Sequence, residues 1–265
     1  MLPVGAIAYT LGSLPVTGTG FSWMADETNE ALTGPVAEVV YDDSGSREVE
    51  ALLTGIAETG FEQKNVREAL DRPPSLDDWR VGETLAECYL TDHWQCHFPW
   101  PDGRDVRKAG SSLPGADLVG FQTENATARF AFGEVKTSHE AKYPPGAVHG
   151  RTGLKQQLED LRDDVGIRDQ LVLYLAHRAV QNPPWCEQFK WAAGRYFKDK
   201  QDVRIFGILV RDVPPYEDDL RVRTSKLGQG CPHPMTIELL AIYLPPDSIA
   251  TLTRTVTRSR TGGDS

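Results

Sequence analysis

The chain has 265 residues, of which 40% are hydrophobic and 25% charged, and its formal net charge is −10. This length suits one large domain or a core with a smaller attached domain, and the apolar content is sufficient for a buried core. The acidic balance argues against general coating of nucleic acid. No apolar run reaches the ~18–20 residues that a membrane span requires, so we expect no membrane partner.

The N-terminal third predicts a strand or loop followed by a strand and two helices. Its opening, MLPVGAIAYTLGSLPVTG, has no basic leader and is interrupted by Gly and Pro, which favours a strand or loop over a signal peptide. The stretch Val36–Tyr41 has the pattern of a strand. Ser46 then caps an amphipathic helix over residues 47–57, and a shorter helix over 62–70 ends before a pair of prolines. We assign residues 1–75 to an accessory region.

A helix is predicted from Ser75 to Leu90, because the segment opens with helix-cap chemistry. Glu83 and Glu87 are four residues apart and therefore share one face of this helix. That face is either a solvated acidic surface or the donor of one carboxylate to a site, and Glu83 is the stronger candidate. The polar, aromatic segment 93–110 is predicted to be a loop that includes at most a short strand.

Two apolar strands joined by a polar turn are predicted between Leu113 and Ser138. If Asp117 lies opposite Glu134, the midpoint of the hairpin falls at Asn125-Ala126, inside the turn-like patch of this segment. Side chains alternate between the two faces of a strand, so Glu134 and Lys136 point the same way. Asp117, Glu134 and Lys136 are therefore expected to converge at one end of a sheet.

The C-terminal half predicts three helical segments and two strands. The helical segments are 154–165, 167–180 (a buried helix, or a strand followed by a helix) and 185–197, and the strands are 203–210 and 236–244. The order of elements predicts an α/β fold with a central mixed β-sheet flanked by helices, plus an N-terminal extension. We assign residues 76–250 to the core and 251–265 to a flexible tail.

Basic residues are concentrated around the predicted hairpin. Residues 104–155 contain eight basic and five acidic residues, a net charge of +3, so the rest of the chain carries −13. A phosphate-rich ligand would be tolerated at this segment, although a local fluctuation in composition explains the imbalance equally well. Candidate contacts to DNA by stacking and phosphate pairing are Trp94, Trp100, Tyr143, Arg104, Lys108 and Lys142. Partly buried aromatic residues and solvated charges are the alternative for each.

The four cysteines are Cys88, Cys96, Cys186 and Cys231. This number is small for the length, which argues against a disulfide framework and favours a reducing cytoplasm. Cys88, His93, Cys96 and His97 are close together in the sequence, but their C-x4-H-x2-C-H spacing lacks a CxxC pair. A zinc-binding regulatory domain therefore stays a weaker alternative to ordinary core or surface positions.

The predicted convergence of two carboxylates has a chemical consequence. Carboxylates in a dry cleft repel each other unless a cation lies between them. Carboxylate oxygens favour Mg²⁺ or Mn²⁺, which keep several waters and accept phosphate oxygens as further ligands. The expected ligands are Asp117, Glu134 and the backbone carbonyl of Val135, while Lys136 can orient or help to deprotonate a metal-bound water and stabilise charge on phosphorus. This set is typical of metal-assisted phosphodiester hydrolysis.

The same residues carry a family resemblance. Leu113-Pro114-Gly115-Ala116-Asp117, then 16 residues, then Glu134-Val135-Lys136 resembles the PD-(D/E)xK nuclease superfamily. The upstream Gly82-Glu83-x-Leu85-Ala86-Glu87 is similar to the helix that donates a further acidic residue in many members, and Glu83 matches that residue. Gln157 matches a glutamine that several branches place in the next helix, although their tyrosine four residues later is Leu161 here.

The resemblance spans about residues 81–180 and implies a restriction-endonuclease-like core. It implies a nuclease that hydrolyses phosphodiester bonds of DNA with Mg²⁺ or Mn²⁺, and catalytic roles for Asp117, Glu134, Lys136, Glu83 and Gln157. The layout is also similar to nucleases of bacterial antiphage defence and restriction, including the nuclease subunit of the Hachiman system. That likeness implies a helicase or another defence-system subunit as a partner.

Two other interpretations of the motif stay open. Many proteins keep such a core as a binding module for nucleic acid or a protein partner and lose catalysis. Alternatively, Glu134 and Lys136 form an ordinary surface pair on an edge strand and Asp117 is a turn residue. Pro101-Asp102 resembles the first half of the motif, but no strand is predicted directly after it, so Asp117 is preferred.

Overall fold

The computed structural model describes residues 1–56, 59–70, 76–99 and 115–261. The strands are β1 (Ala6–Ser13), β2 (Val16–Ser22), β3 (Cys96–His97), β4 (Leu118–Glu124), β5 (Thr127–Ser138), β6 (Val203–Arg211) and β7 (Thr236–Tyr243). The helices are α1 (Ala25–Thr33), α2 (Pro35–Val40), α3 (Asp43–Ile56), α4 (Gly60–Leu70), α5 (Asp78–Trp94), α6 (Leu154–Asp163), α7 (Val165–Ala179), α8 (Cys186–Tyr196), α9 (Arg221–Gly228) and α10 (Leu252–Thr261).

The strands form one mixed sheet in the order β1-β2-β7-β6-β5-β4-β3. Strands β5, β6 and β7 are parallel to one another, as are β2 and β7, while β4 is antiparallel to both β3 and β5. The carboxyl ends of the parallel strands and the first residue of β4 therefore share one edge of the sheet. Ligands of open α/β sheets bind beyond this edge.

Helices cover both faces of the sheet, so the predicted α/β architecture is confirmed. On one face α6, α7, α8 and α9 pack over a core that includes Phe130, Phe132 and Ile205. On the other face α1, α2, α5 and α10 pack over a second core that includes Val135 and Ile208. Strand β5 contributes to both cores because its side chains alternate between the faces.

The predicted hairpin and its turn are confirmed. Leu118 pairs with Gly133 and Glu124 with Thr127, which leaves Asn125 and Ala126 as the two turn residues. Their φ angles are 47° and 61°, and positive φ at both central positions defines the type I′ turn whose twist suits a two-residue hairpin.

Segment 36–41 corrects one sequence prediction, since it is helical rather than a strand. Pro35 opens helix α2, where its missing N–H costs nothing. Val36, Ala37 and Val40 are buried, which is a helical spacing. Short apolar runs of this kind fit a strand or a helix equally well in the sequence.

The two predicted helices that follow are present as α3 and α4. The apolar face of α3 is not buried, because Val49, Leu52 and Ile56 are exposed. The N-terminal strands β1 and β2 belong to the same sheet as β4–β7, while the boundary at residue 75 stays a prediction.

The predicted flexible tail is partly wrong. Residues 252–261 form α10, and Leu252 and Val256, one turn apart, are buried in the second core. In the described part of the chain, no helix combines the length and apolarity needed to cross a membrane. Trp100, Pro101-Asp102, Arg104 and Lys108 lie outside the described residues.

Candidate active site

Asp117 is held at the sheet edge by the backbone of β5. The chain reaches it through Gly115, whose φ of +114° is unfavourable for residues with a Cβ. The Asp117 N–H donates to the carbonyl of Gly133 at 2.9 Å. Its Oδ2 accepts from the N–H of Val135 at 2.8 Å, so the carboxylate continues the ladder beyond the first residue of β4.

Glu134 and Lys136 lie on one side of β5, as the alternation predicted. The Lys136 Nζ is 3.4 Å from Glu134 Oε2 and 3.6 Å from Asp117 Oδ2. The Glu134 side chain is 1% exposed and that of Asp117 is 9% exposed. One ammonium group therefore faces two shielded carboxylates, which is incompatible with a simple surface pair.

The environment of the Glu134 carboxyl perturbs its titration strongly. Burial raises its pKa well above the usual value, the neighbouring Asp117 charge raises it further, and Lys136 opposes both effects. Its Oε1 has no hydrogen-bond partner among the described residues. A buried carboxyl with an unpaired oxygen favours its neutral form until a stronger cation arrives.

A pocket of about 510 Å³ opens at this edge of the sheet. Its lining residues are Asp77, Trp79, Glu83, Asp117, Val135, Lys136, Thr137, Thr152 and Gln157. The structure thus brings Glu83, Asp117, Val135, Lys136 and Gln157 to one cavity. Glu134 lies behind them, in contact with the Lys136 ammonium.

Glu83 reaches the pocket because α5 approaches β5 closely. A Cβ on Gly82 would lie 2.0 Å from the Thr137 Oγ1, so only glycine permits this packing. The two acids of the predicted pair separate in space. Glu83 lines the site, whereas Glu87 lines a different groove with Glu38 and His97.

Three shielded oxygens around the pocket lack a hydrogen-bond partner among the described residues: Glu134 Oε1, Thr137 Oγ1 and Gln157 Oε1. Buried polar atoms are usually paired, so such a group indicates a place for water, a cation or a ligand. Thr137 was missed in the sequence because a threonine at the end of a strand carries no distinctive signal.

The residues fit a Mg²⁺ or Mn²⁺ ion that keeps most of its water. The described residues hold no group of three or more His, Cys, Asp or Glu side chains arranged for a metal, so Asp117 and Glu134 would supply two carboxylates. The Val135 carbonyl lies on the same side of the strand as its N–H, toward Asp117. Mg²⁺ sites typically use one or two carboxylates, with waters and substrate phosphates completing the coordination.

Cys88, Cys96 and His97, three of the four residues of the possible zinc cluster near α5, have other partners. The Cys88 thiol contacts the carbonyl of Pro35 and the Cys96 thiol that of Trp94. The His97 Nδ1 is 2.7 Å from Gln188 Oε1. Burial also raises the pKa of both thiols, which disfavours the thiolates that zinc requires.

Two of the three described candidates for DNA contact, Trp94 and Tyr143, have structural roles. Trp94 packs on Phe21 and Tyr89. The Tyr143 hydroxyl donates to the carbonyl of Pro214, and its ring packs on Tyr216. Lys142 is exposed.

Comparison with models of known protein families and with curated proteins finds no match for this chain. The α/β fold and the carboxylate–lysine pocket are therefore the observations from which function is argued.

Proposed function

We propose that the protein is a metal-dependent nuclease that hydrolyses phosphodiester bonds of DNA, with Mg²⁺ or Mn²⁺ as its cofactor. The observation that carries the proposal is the convergence of Asp117 and Glu134 on the Lys136 ammonium at the carboxyl edge of the sheet, where Asp117 and Lys136 line the pocket and Glu134 lies directly behind them. The orphan Glu134 oxygen and the raised pKa of this carboxyl support a cation there.

Each side chain has a role that follows from its position. Asp117 and Glu134 would hold the cation, and the hydrogen bond from the Val135 N–H fixes the Asp117 carboxylate in place. When bound, the cation supplies a Lewis acid and lowers the pKa of its water. Glu83 adds negative charge from the α5 side, and Gln157 presents an amide to the same cavity.

Lys136 serves the reaction once the carboxylates have another cation. Its side chain is 20% exposed, so the ammonium has room to leave the carboxylates and face the pocket. There it donates hydrogen bonds to the attacking water or to the phosphate oxygens on which negative charge grows. The amine thus moves from stabilising the metal-free site to stabilising the transition state.

Bacterial antiphage defence or restriction is the setting we propose, with a helicase or another defence subunit as partner. The resemblance of the sequence to nucleases of antiphage defence and restriction supports both the setting and the partner. We also propose a cytoplasmic location, since the four cysteines are free thiols and a reducing compartment keeps thiols in that state.

Lys136→Ala tests the proposal. We expect the variant to keep its affinity for DNA and to lose at least ~100-fold in cleavage rate with Mg²⁺ or Mn²⁺, because general acid–base groups typically contribute that much or more. The assay uses plasmid, linear and single-stranded DNA, with EDTA as the metal-free reference. Lys190→Ala is the matched control, because this lysine is an exposed partner of Glu187 on α8.

Cleavage by Lys136→Ala at the wild-type rate would remove Lys136 from the mechanism. A wild-type protein that binds DNA but cuts none of the substrates with either metal would instead be a binding module.

A further inference from the structure

Trp79 is an aromatic residue exposed at the mouth of the candidate site. It lies in the first turn of α5, four residues before Glu83, and both residues line the pocket. The residue is 37% exposed, whereas Trp23 and Trp185 are 3% and 8% exposed. A large apolar ring held partly in solvent beside carboxylates presents a flat surface to whatever enters.

A second groove lies next to this pocket, on the side of α10. Its volume is about 620 Å³, and it is lined by Asp77, Asp78 and residues of α10 that include Arg254 and Arg258. Asp77 lines both cavities, so the two are neighbours across the start of α5. The N–H and hydroxyl of Thr253 donate to Asp78 Oδ1 at 3.1 and 2.8 Å, which fixes α10 against α5.

Helix α10 is strongly cationic on an acidic protein. It contains three arginines and no acidic residue, in a chain with a net charge of −10. Arg254 and Arg258 are exposed and one turn apart on the groove side. The first two arginines therefore form a short positive row beside the site.

We propose that Trp79 and the Arg254–Arg258 row form a track for single-stranded nucleic acid that leads into the catalytic pocket. Trp79 stacks on the base of a nucleotide next to the phosphate at the site, and the arginines bind phosphates further along the strand. This proposal rests on the proposed nuclease function and narrows its substrate to an unpaired or frayed strand.

The chemistry favours a single strand over a duplex. Stacking on an aromatic side chain needs an open base face, which is available in single strands and is covered by neighbouring bases in a duplex. The pocket volume falls in the range of sites for small ligands. Asp77, which lines both cavities, repels phosphate where they meet, so a base suits this stretch better than backbone.

Binding in EDTA tests the stacking step without cleavage. The measurement is fluorescence anisotropy of a labelled 20-nucleotide single strand and of the matching duplex. Trp79→Ala should weaken single-strand binding about 5- to 100-fold, Trp79→Phe should keep most of the affinity, and duplex binding should change little. Trp191→Ala is the matched control, because Trp191 is 47% exposed and lies on α8. This helix contacts the turn end of the hairpin, where Arg195 donates a hydrogen bond to Thr127.

The salt dependence of the same binding tests the arginine row. Arg254→Gln combined with Arg258→Gln should lower the slope of log affinity against log salt by about 1.4, at roughly 0.7 for each phosphate contact to a single strand. The control is Arg221→Gln, because Arg221 is an exposed arginine on α9 that is paired with Asp218.

The outcomes separate this proposal from the nuclease function. Equal effects of Trp79→Ala and Trp191→Ala, or an unchanged salt slope, would overturn the track, and metal-dependent cleavage by the same preparations would leave the nuclease standing. Single-strand binding that needs Trp79 and the arginines, in a protein that cuts nothing with either metal, would support the track and end the nuclease proposal.

Discussion

At the residue scale, we expect Glu134 to link the stability of the protein to the presence of a cation. Its side chain is 1% exposed, and its nearest positive charge, Lys136, is shared with Asp117. Burial is the largest cause of its raised pKa. Because the folded pKa is above the unfolded one, the folded state is favoured below the ordinary pKa of a glutamate and loses that advantage as pH rises through the folded pKa.

Glu134→Gln should therefore stabilise the metal-free protein at pH 8 by about 1–3 kcal/mol, since an unsatisfied buried polar group costs about that much. At pH 4.5 the gain should be much smaller, because the wild-type carboxyl is then largely protonated. Urea unfolding at the two pH values in EDTA measures the difference. Mg²⁺ should raise the stability of the wild type and not of the variant, and a variant that is less stable at pH 8 would contradict a strained carboxylate.

The arrangement of the candidate site residues could be predicted from the sequence because strand alternation and one turn fix their relative positions. Placing Asp117 opposite Glu134 required only that the hairpin turn at Asn125-Ala126. The register of β4 and β5 places the turn there. Trp79 carried a usable signal as well, since it lies four residues before Glu83. The second groove carried no signal in the sequence, because it depends on α10 packing against a helix about 170 residues earlier.

At the level of elements, the hairpin turn contains one unfavourable residue. Ala126 has a φ of 61°, a region that is costly for a residue with a Cβ, and type I′ turns favour Asn-Gly. Ala126→Gly should raise the free energy of unfolding by about 0.5–1 kcal/mol and leave the site intact, as measured by urea unfolding. Ala128→Gly, in the extended part of β5, serves as the control and should destabilise. A destabilising Ala126→Gly would argue against this turn and against the register that it sets.

Close packing of α5 on β5 positions Glu83. Gly82→Ala would place a Cβ 2.0 Å from Thr137 Oγ1, so we expect a loss of about 1–3 kcal/mol, typical of overpacking, together with lower metal-dependent cleavage. Adding Thr137→Ala should restore part of the stability. Gly55→Ala in α3 is the control, where nothing lies within 4 Å of the new Cβ and a gain of about 0.5–1 kcal/mol is expected. Equal stability of Gly82→Ala and Gly55→Ala would contradict the close approach.

Other elements show where local pattern fails. Val36–Tyr41 contains β-branched residues that suit a strand, yet Val36, Ala37 and Val40 pack on the α5 face of the sheet. Contacts with residues that are distant in the sequence decide between helix and strand here, and local propensity carries no information about those contacts. Helix α10 was not predicted, for the same reason. Its buried residues Leu252 and Val256 form only a narrow apolar stripe in an otherwise polar segment.

At the scale of the whole molecule, the fold class followed from element order and the sheet order did not. The pairing of β2 with β7 joins residues 16–22 to residues 237–243, and no local feature of either segment specifies that partner. The resulting topology places β5, β6 and β7 in parallel, with the site at their common carboxyl edge. Position in the sheet and the chemistry of Asp117, Glu134 and Lys136 thus lead independently to the same pocket.

Charge is distributed so that the site differs from the rest of the surface. The chain is acidic overall, whereas α10 beside the pocket is cationic. Such a contrast directs a polyanion toward one face and keeps it away from others. A nuclease with this distribution would select its substrate by access to the pocket rather than by coating DNA.

Anomalous diffraction from a crystal soaked in Mn²⁺ shows whether Asp117 and Glu134 together bind a cation. We predict one strong peak in the pocket, roughly 2–2.3 Å from oxygens of both Asp117 and Glu134, with the Lys136 ammonium turned away from them. Asp117→Asn crystals under the same conditions should lack the peak. Wild-type crystals at saturating Mn²⁺ with no peak at these carboxylates, and with Lys136 still between them, would contradict the account.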